Sequence, residues 1–166
     1  MTSSYIKRIV YTAMFAALIC IATLVIQIPS PMNGYVNLGD GVILIASWIL
    51  GPVCGMIAGA VGSGLADVIG GYAYYAPATI VIKGLCGLAA GLLFSKTSTW
   101  RCILAAVVAE IIMVLGYFAY AGLIFGEGIG AAASIPGNIA QGVMGIIIFI
   151  LAMMRFKKMG KNPGDF

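Results

Sequence analysis

The chain has 166 residues, of which 62% are hydrophobic and 8% charged, with a mean hydropathy of +1.10. Soluble domains carry about 25% charged residues, so this composition excludes a water-covered globule and points to an integral membrane protein. The net charge of +4 calls for no nucleic-acid partner, because the basic residues flank apolar runs, where anionic lipid headgroups lie.

The apolar runs are continuous rather than alternating, which favours helical spans over an outer-membrane barrel. A crossing helix needs roughly 20 apolar residues. The first predicted span covers about 5–28. It follows Lys7 and Arg8 as a signal peptide would, but its apolar stretch is too long and no A-x-A-like site follows it. It ends at IPSPMNG, whose two prolines break helices. A short span is predicted over about 39–50, closed by the Gly51–Pro52 turn. The remaining spans are predicted at about 52–69, 76–94, 101–125 and 135–154, with SKTSTWR and GEGIGAAAS as connecting loops. The fold class is therefore an all-α membrane bundle of six helices in one domain, 1–166.

Lysine and arginine set the orientation. With the N-terminus inside, Lys7, Arg8, Lys96, Arg101, Arg155, Lys157, Lys158 and Lys161 all fall on the inner side, and Lys83 lies within a span. This is the positive-inside pattern, and both ends are expected in the cytoplasm.

The four cysteines (Cys20, Cys54, Cys86, Cys102) lie in or beside apolar runs without a C-x-x-C pair, and the chain has no histidine. Disulfides, metal sites and cofactors are not expected. Nor is there a nucleophile elbow, a paired acid motif or a nucleotide-binding loop, so an enzyme is not expected either. Energy for any uphill movement has to come from a partner or an ion.

The polar residues collect toward one side of the bundle. Asp67 ends the third span, Lys83 lies about two turns into the fourth, and Glu110 is near the middle of the fifth. Tyr72, Tyr74 and Tyr75 bridge the third and fourth, Asn138 and Gln141 open the sixth, and Asn33, Asn37 and Asp40 precede or begin the second. Ionisable groups at membrane depth are costly and face a bundle interior or a wet cavity. Lys83 is expected to meet a ligand or to pair with an acid, with Asp67, Glu110 and Asp40 all open as its partner. The tyrosines suit either an interfacial belt or the wall of a site. Aromatic faces, amides, acids and one cation at one depth are how a small planar polar ligand is held. Small residues repeat every fourth position at Ala13/Ala17, Gly55/Gly59 (with Ser63 a turn further) and Gly87/Gly91. Such stripes let helices approach closely, within the bundle or against another membrane protein.

The strings NGYVNLGDG (33–41), LGP (50–52) and GSGLADVIGGYAYYAPATIVIKGLCGLAAG (62–91) resemble the substrate-binding S components of energy-coupling factor (ECF) vitamin transporters. They look most like the group for riboflavin, hydroxymethylpyrimidine or pyridoxine uptake. The similarity covers about residues 5–155, with Ile80 where the pattern has phenylalanine. The resemblance implies a six-helix S component with a vitamin site near the outer face, closed by the first outer loop. It also implies docking, through the Ala13 and Ala17 face, on a transmembrane coupling protein (T component) that carries two cytoplasmic ATPases. Toppling in the membrane would then release the substrate inside. The expected location is a bacterial plasma membrane.

Candidate ligand contacts are Asn37, Asp40, Asp67, Tyr74, Tyr75, Lys83, Glu110, Asn138 and Gln141. Tyrosines would stack on a heteroaromatic ring while Lys83, the acids and the amides bond its polar groups. This mixture suits hydroxymethylpyrimidine or a pyridoxine-like vitamin, with riboflavin as the runner-up. A self-sufficient carrier coupled to protons through Glu110 and Lys83 is the alternative of another class.

Overall fold

The computed structural model describes residues 2–30, 34–95 and 98–160; the predictions made for Asn33, Lys96 and Lys161 lie outside the described residues. The elements are α1 (Thr2–Val25), β1 (Ile28–Ser30), β2 (Gly34–Val36), α2 (Gly39–Leu50), α3 (Pro52–Ile69), α4 (Ala76–Leu93), α5 (Thr99–Leu123), a 3-10 helix (Gly128–Ser134) and α6 (Ile135–Lys158). Five of these helical segments are long and apolar enough to cross a membrane. With 12 residues, α2 rises about 18 Å, well short of the roughly 30 Å hydrocarbon layer.

Local chemistry sets the boundaries. Gly51 adopts φ +87, a conformation L-residues avoid, and Pro52 opens α3 where its missing N–H costs nothing. Gly71, at φ +86, lets the chain leave α3 sharply before the tyrosines. Ser98 caps α5 by accepting from the backbone N–H of Arg101 at 3.4 Å.

Two expectations need correction. The first helix ends at Val25, not Ile28, because Ile28–Ser30 pairs antiparallel with Gly34–Val36, in the register Ile28↔Val36. The GEGIGAAAS segment is not an open loop, since its last seven residues form the 3-10 helix that leads into α6.

Apolar side chains such as Ile9, Leu18, Val61, Ile111, Leu115, Val143 and Leu151 are exposed around the bundle, as lipid contact requires. Inside, Trp48 meets Phe149 and Phe156 edge-on at 6.1 and 5.9 Å, and Phe94 stacks on Phe149 at 5.0 Å. This aromatic layer lies toward the end where α5 begins and α6 stops, which Lys157 donating to Thr99 Oγ1 at 2.6 Å ties together. Arg8, which donates to the carbonyl of Leu50 at 3.3 Å, belongs to the same end. The basic residues thus share one end of the bundle with the dry core, and the hairpin and tyrosines occupy the other.

The glycine stripes of α3 and α4 work inside the bundle. A Cβ on Gly87 would stand 2.5 Å from the carbonyl oxygen of Gly55, and one on Gly59 2.8 Å from that of Lys83. The two helices therefore touch backbone to backbone. Ala13 and Ala17 differ, since both are exposed on the lipid face of α1.

Candidate ligand cavity

A polar cavity opens beneath the hairpin, with Thr23 of α1, Ser30, Gly34 and Tyr35 of the hairpin, and Asn37 around its roof and near side. Ser63 and Asp67 of α3, Tyr75, Thr79 and Lys83 around α4, Tyr117 of α5, and Ser134, Asn138 and Gln141 complete it. Helical spacing explains much of this set, since Ser63/Asp67 and Thr79/Lys83 are four apart and Asn138/Gln141 three apart, each pair on one helix face.

The floor is a closed network. Lys83 Nζ lies 2.5 Å from Asp40 Oδ1, and both residues are almost fully buried. The other oxygen, Asp40 Oδ2, accepts from Gln141 Nε2 at 2.6 Å. Gln141 Oε1 in turn accepts from the backbone N–H of Asn37 at 2.9 Å and from its side-chain amide at 3.2 Å. Asn37 Oδ1 then accepts from the N–H of Gly39 at 2.9 Å, serving the first turn of α2. Lys83 Nζ also stands 5.4 Å from the centre of the Tyr117 ring. One short helix is thereby fixed to α4 and α6 through side chains distant in sequence.

The roof hangs on a different acid. Tyr35 donates its hydroxyl to Asp67 Oδ1 at 2.5 Å, tying the hairpin to the end of α3, and its ring lies 4.5 Å from that of Tyr72. Burial, followed by the hydrogen bond to Asp67, pushes the Tyr35 hydroxyl well above the usual phenol range, so it stays a donor. Tyr75 is buried among Tyr117, Tyr120 and Phe125, at 6.2, 5.6 and 5.3 Å. Burial and then the neighbouring Tyr74 and Glu127 push its hydroxyl up to about 12.

A hydrogen bond to a charged acceptor contributes about 1.5–3 kcal/mol, so Tyr35→Phe is expected to loosen the roof specifically. Amide hydrogen exchange of residues 34–36, read by mass spectrometry, should accelerate by about tenfold or more while the bundle's melting temperature barely moves. Unchanged exchange there would remove this latch.

Of the nine candidate contacts, Asn37, Asp67, Tyr75, Lys83, Asn138 and Gln141 line the cavity. Asp40 lies just beneath it as the partner of Lys83, which decides among the three acids, Asp67, Glu110 and Asp40, open for that pairing. The reason is that Asp40 enters the core on the first turn of α2 beside α4, whereas Asp67 is engaged by Tyr35. Glu110 sits a layer lower against Gly142 and Gly145, facing an apolar groove between α5 and α6 rather than the cavity. Tyr74 is 45% exposed and packs on Tyr75 and Phe125 outside the lining. The candidate set lacked Thr23, Ser30, Gly34, Tyr35, Ser63, Thr79, Tyr117 and Ser134, which also line the cavity. Thr79 and Ser63 were accessible through their four-residue spacing from Lys83 and Asp67, whereas Thr23 and Tyr35 depend on the hairpin.

The cavity volume is about 40 Å³, room for a few water-sized molecules, against roughly 300–1,000 Å³ for sites holding drug-sized ligands. A cavity of that size admits an aromatic ring only if its walls move apart.

A helical membrane bundle with a polar cavity roofed by its own hairpin defines a membrane-embedded small-molecule-binding protein. The family model for the ECF-type riboflavin transporter, S component, matches residues 3–158, and the chain belongs to that family. It is similar to a solved structure of the S component of a bacterial ECF transporter, with 26% sequence identity and a TM-score of 0.74 over 93% of this chain and 98% of that one. An uncharacterized protein of Pyrococcus woesei is 44% identical over 133 residues, 78% of this chain and 88% of its own length. The protein is thus a multi-pass plasma-membrane S component of a vitamin transporter, a substrate-binding component and not an enzyme.

Proposed function

We propose that this S component captures a small nitrogen heterocycle of the hydroxymethylpyrimidine or pyridoxine type and delivers it to an ECF import complex. The observation that carries the reading is the cavity itself, small, walled by Tyr35, Tyr75 and Tyr117, and rich in amide and hydroxyl groups. A one-ring vitamin asks for a modest outward shift of the roof, whereas a three-ring flavin asks for a far larger one. Lys83, Asp67, Asn37, Asn138, Gln141 and Tyr75 are the contacts assigned to the ligand. Asp40 holds Lys83 from below, and Glu110 and Tyr74 stand behind the walls. Riboflavin is the second reading, favoured by the family whose model matches the chain.

The cavity end faces outward in this reading and the basic end faces the cytoplasm. There a T component with two ATPases supplies the energy, engaging the exposed Ala13 and Ala17 face of α1. Equilibrium binding of hydroxymethylpyrimidine, pyridoxine and riboflavin to the purified protein tests the substrate. Saturable binding of either one-ring vitamin in preference to riboflavin is expected, and preference for riboflavin overturns the first reading in favour of the second. Uptake into vesicles should require the T component, the ATPases and ATP. Uptake by this chain alone would establish a self-sufficient carrier instead.

A further inference from the structure

Asp67 has a capacity that the protein does not use. It is 3% exposed and lines the cavity, yet while Oδ1 accepts from Tyr35, Oδ2 has no hydrogen-bond partner among the described residues. A buried carboxylate oxygen left without a donor is costly, and a ligand group entering the cavity is placed to satisfy it.

The charge around the cavity points the same way. Lys83 is the sole lysine or arginine between Arg8 and Lys96, and none lies between Arg101 and Arg155. No other cation therefore comes from the loops at the cavity end, and Lys83 is already matched by Asp40. Asp67 has no ion-pair partner of its own among the described residues, with Lys83 acting on it only through space and the Thr79 and Tyr35 hydroxyls as its polar neighbours, and Glu127 lies near enough to Tyr75 to raise its hydroxyl. The amides opening α2 would otherwise attract an anion, but Asn37 Oδ1 takes the N–H of Gly39 and Asp40 sits in that same turn. A phosphate entering here would lose its water and meet only a lysine whose charge Asp40 already balances, with Asp67 close by, which is unfavourable.

We infer that Asp67 is a subsite for a hydrogen-bond donor of the ligand (an amino group, a ring N–H or a hydroxyl on a neutral or cationic heterocycle) and that the cavity rejects phosphate esters of the same heterocycle. The inference rests on the vitamin-binding reading above and refines it to a charge class.

The test is equilibrium binding to the purified full-length chain of three pairs, each a vitamin and its phosphate ester: hydroxymethylpyrimidine, pyridoxine and riboflavin. For whichever parent binds, the ester is expected to bind at least about 100-fold more weakly, the scale of one lost charge-assisted contact plus an unpaired anion. Asp67→Asn can still accept from Tyr35 but drops the charge. It is expected to weaken the parent by about tenfold or more and to narrow the parent-to-ester ratio by a similar factor, a ratio that a merely structural role would leave alone. An ester that binds as well as its parent overturns the charge class, and an unchanged ratio in Asp67→Asn overturns the role of Asp67. Should that variant not fold, the wild-type ratio still decides the charge class. A parent analogue without its amino or hydroxyl donor then decides the subsite, since unimpaired binding of it rules the subsite out. Failure of all three parents to bind overturns the vitamin reading and this inference with it, an outcome distinct from binding without discrimination.

Discussion

Asp40→Ala is expected to destabilise the protein by about 3–5 kcal/mol, the usual cost of breaking a buried ion pair from one side. Lys83 is 2% exposed, so loss of its carboxylate leaves an ammonium whose only outlet is the small polar cavity. The same substitution strips the acceptor from Gln141 Nε2, loosening the hold of α6 on α2. Thermal unfolding in detergent or lipid nanodiscs measures the effect. The double variant Asp40→Ala, Lys83→Met should recover most of the loss, because replacing both charges by apolar groups is often close to neutral. If single and double variants melt alike, the pair is not what secures α2. The double variant also separates stability from recognition. With a restored fold and no lysine in the lining, it should bind the vitamin at least about tenfold more weakly, the scale of one lost charged hydrogen bond. Undiminished affinity would remove Lys83 from the ligand contacts.

Gly87→Ala should carry the second large effect. The methyl group would stand 2.5 Å from the Gly55 oxygen and 2.7 Å from its carbonyl carbon, atoms that cannot turn aside as a side-chain tip can. The helices must separate, and overpacking of this kind costs about 1–3 kcal/mol. Lys83 lies one turn along the same helix and its own carbonyl faces Gly59, so a wider seam also shifts the floor of the cavity. Gly130→Ala is the matched control, because a Cβ there meets nothing within 4 Å and should change stability by no more than about 0.5 kcal/mol. Equal melting of the two variants would show that the seam has slack the structure does not display.

The boundaries of α2 and α3 were readable because Gly51 and Pro52 are local signals, acting through the backbone of the residues that carry them. The site's polar membership was readable for a related reason: residues such as Lys83, Asp67 and Gln141 stand out against an apolar background wherever they point. Pairing was not readable in the same way. Asp40 and Lys83 are 43 residues apart, and only the placing of a half-length helix between α4 and α6 brings them together. Depth along the membrane put Glu110 at a plausible level but carried no information on its azimuth, and the structure turns it toward Gly142 and Gly145. The hairpin was hidden because its strands have three residues each, too few to show an alternating pattern, and one contains Pro29. Tyr35 and its latch were lost with it.

The short α2 also bears on how far a solute has to travel. With the basic end at the cytoplasmic face, as proposed, its rise of roughly 18 Å sets the Asp40 and Lys83 floor about 12 Å inside the outer face of a hydrocarbon layer about 30 Å thick. A molecule resting there has already left the aqueous phase and passed a good part of the dielectric barrier, by simple equilibrium and before any work is done. What remains for an energised step is the lower stretch, which Trp48, Phe94 and Phe149 keep closed to polar groups. In that orientation the first, shorter part of the crossing is accomplished by geometry, and the seal on the rest is what keeps binding from becoming a leak.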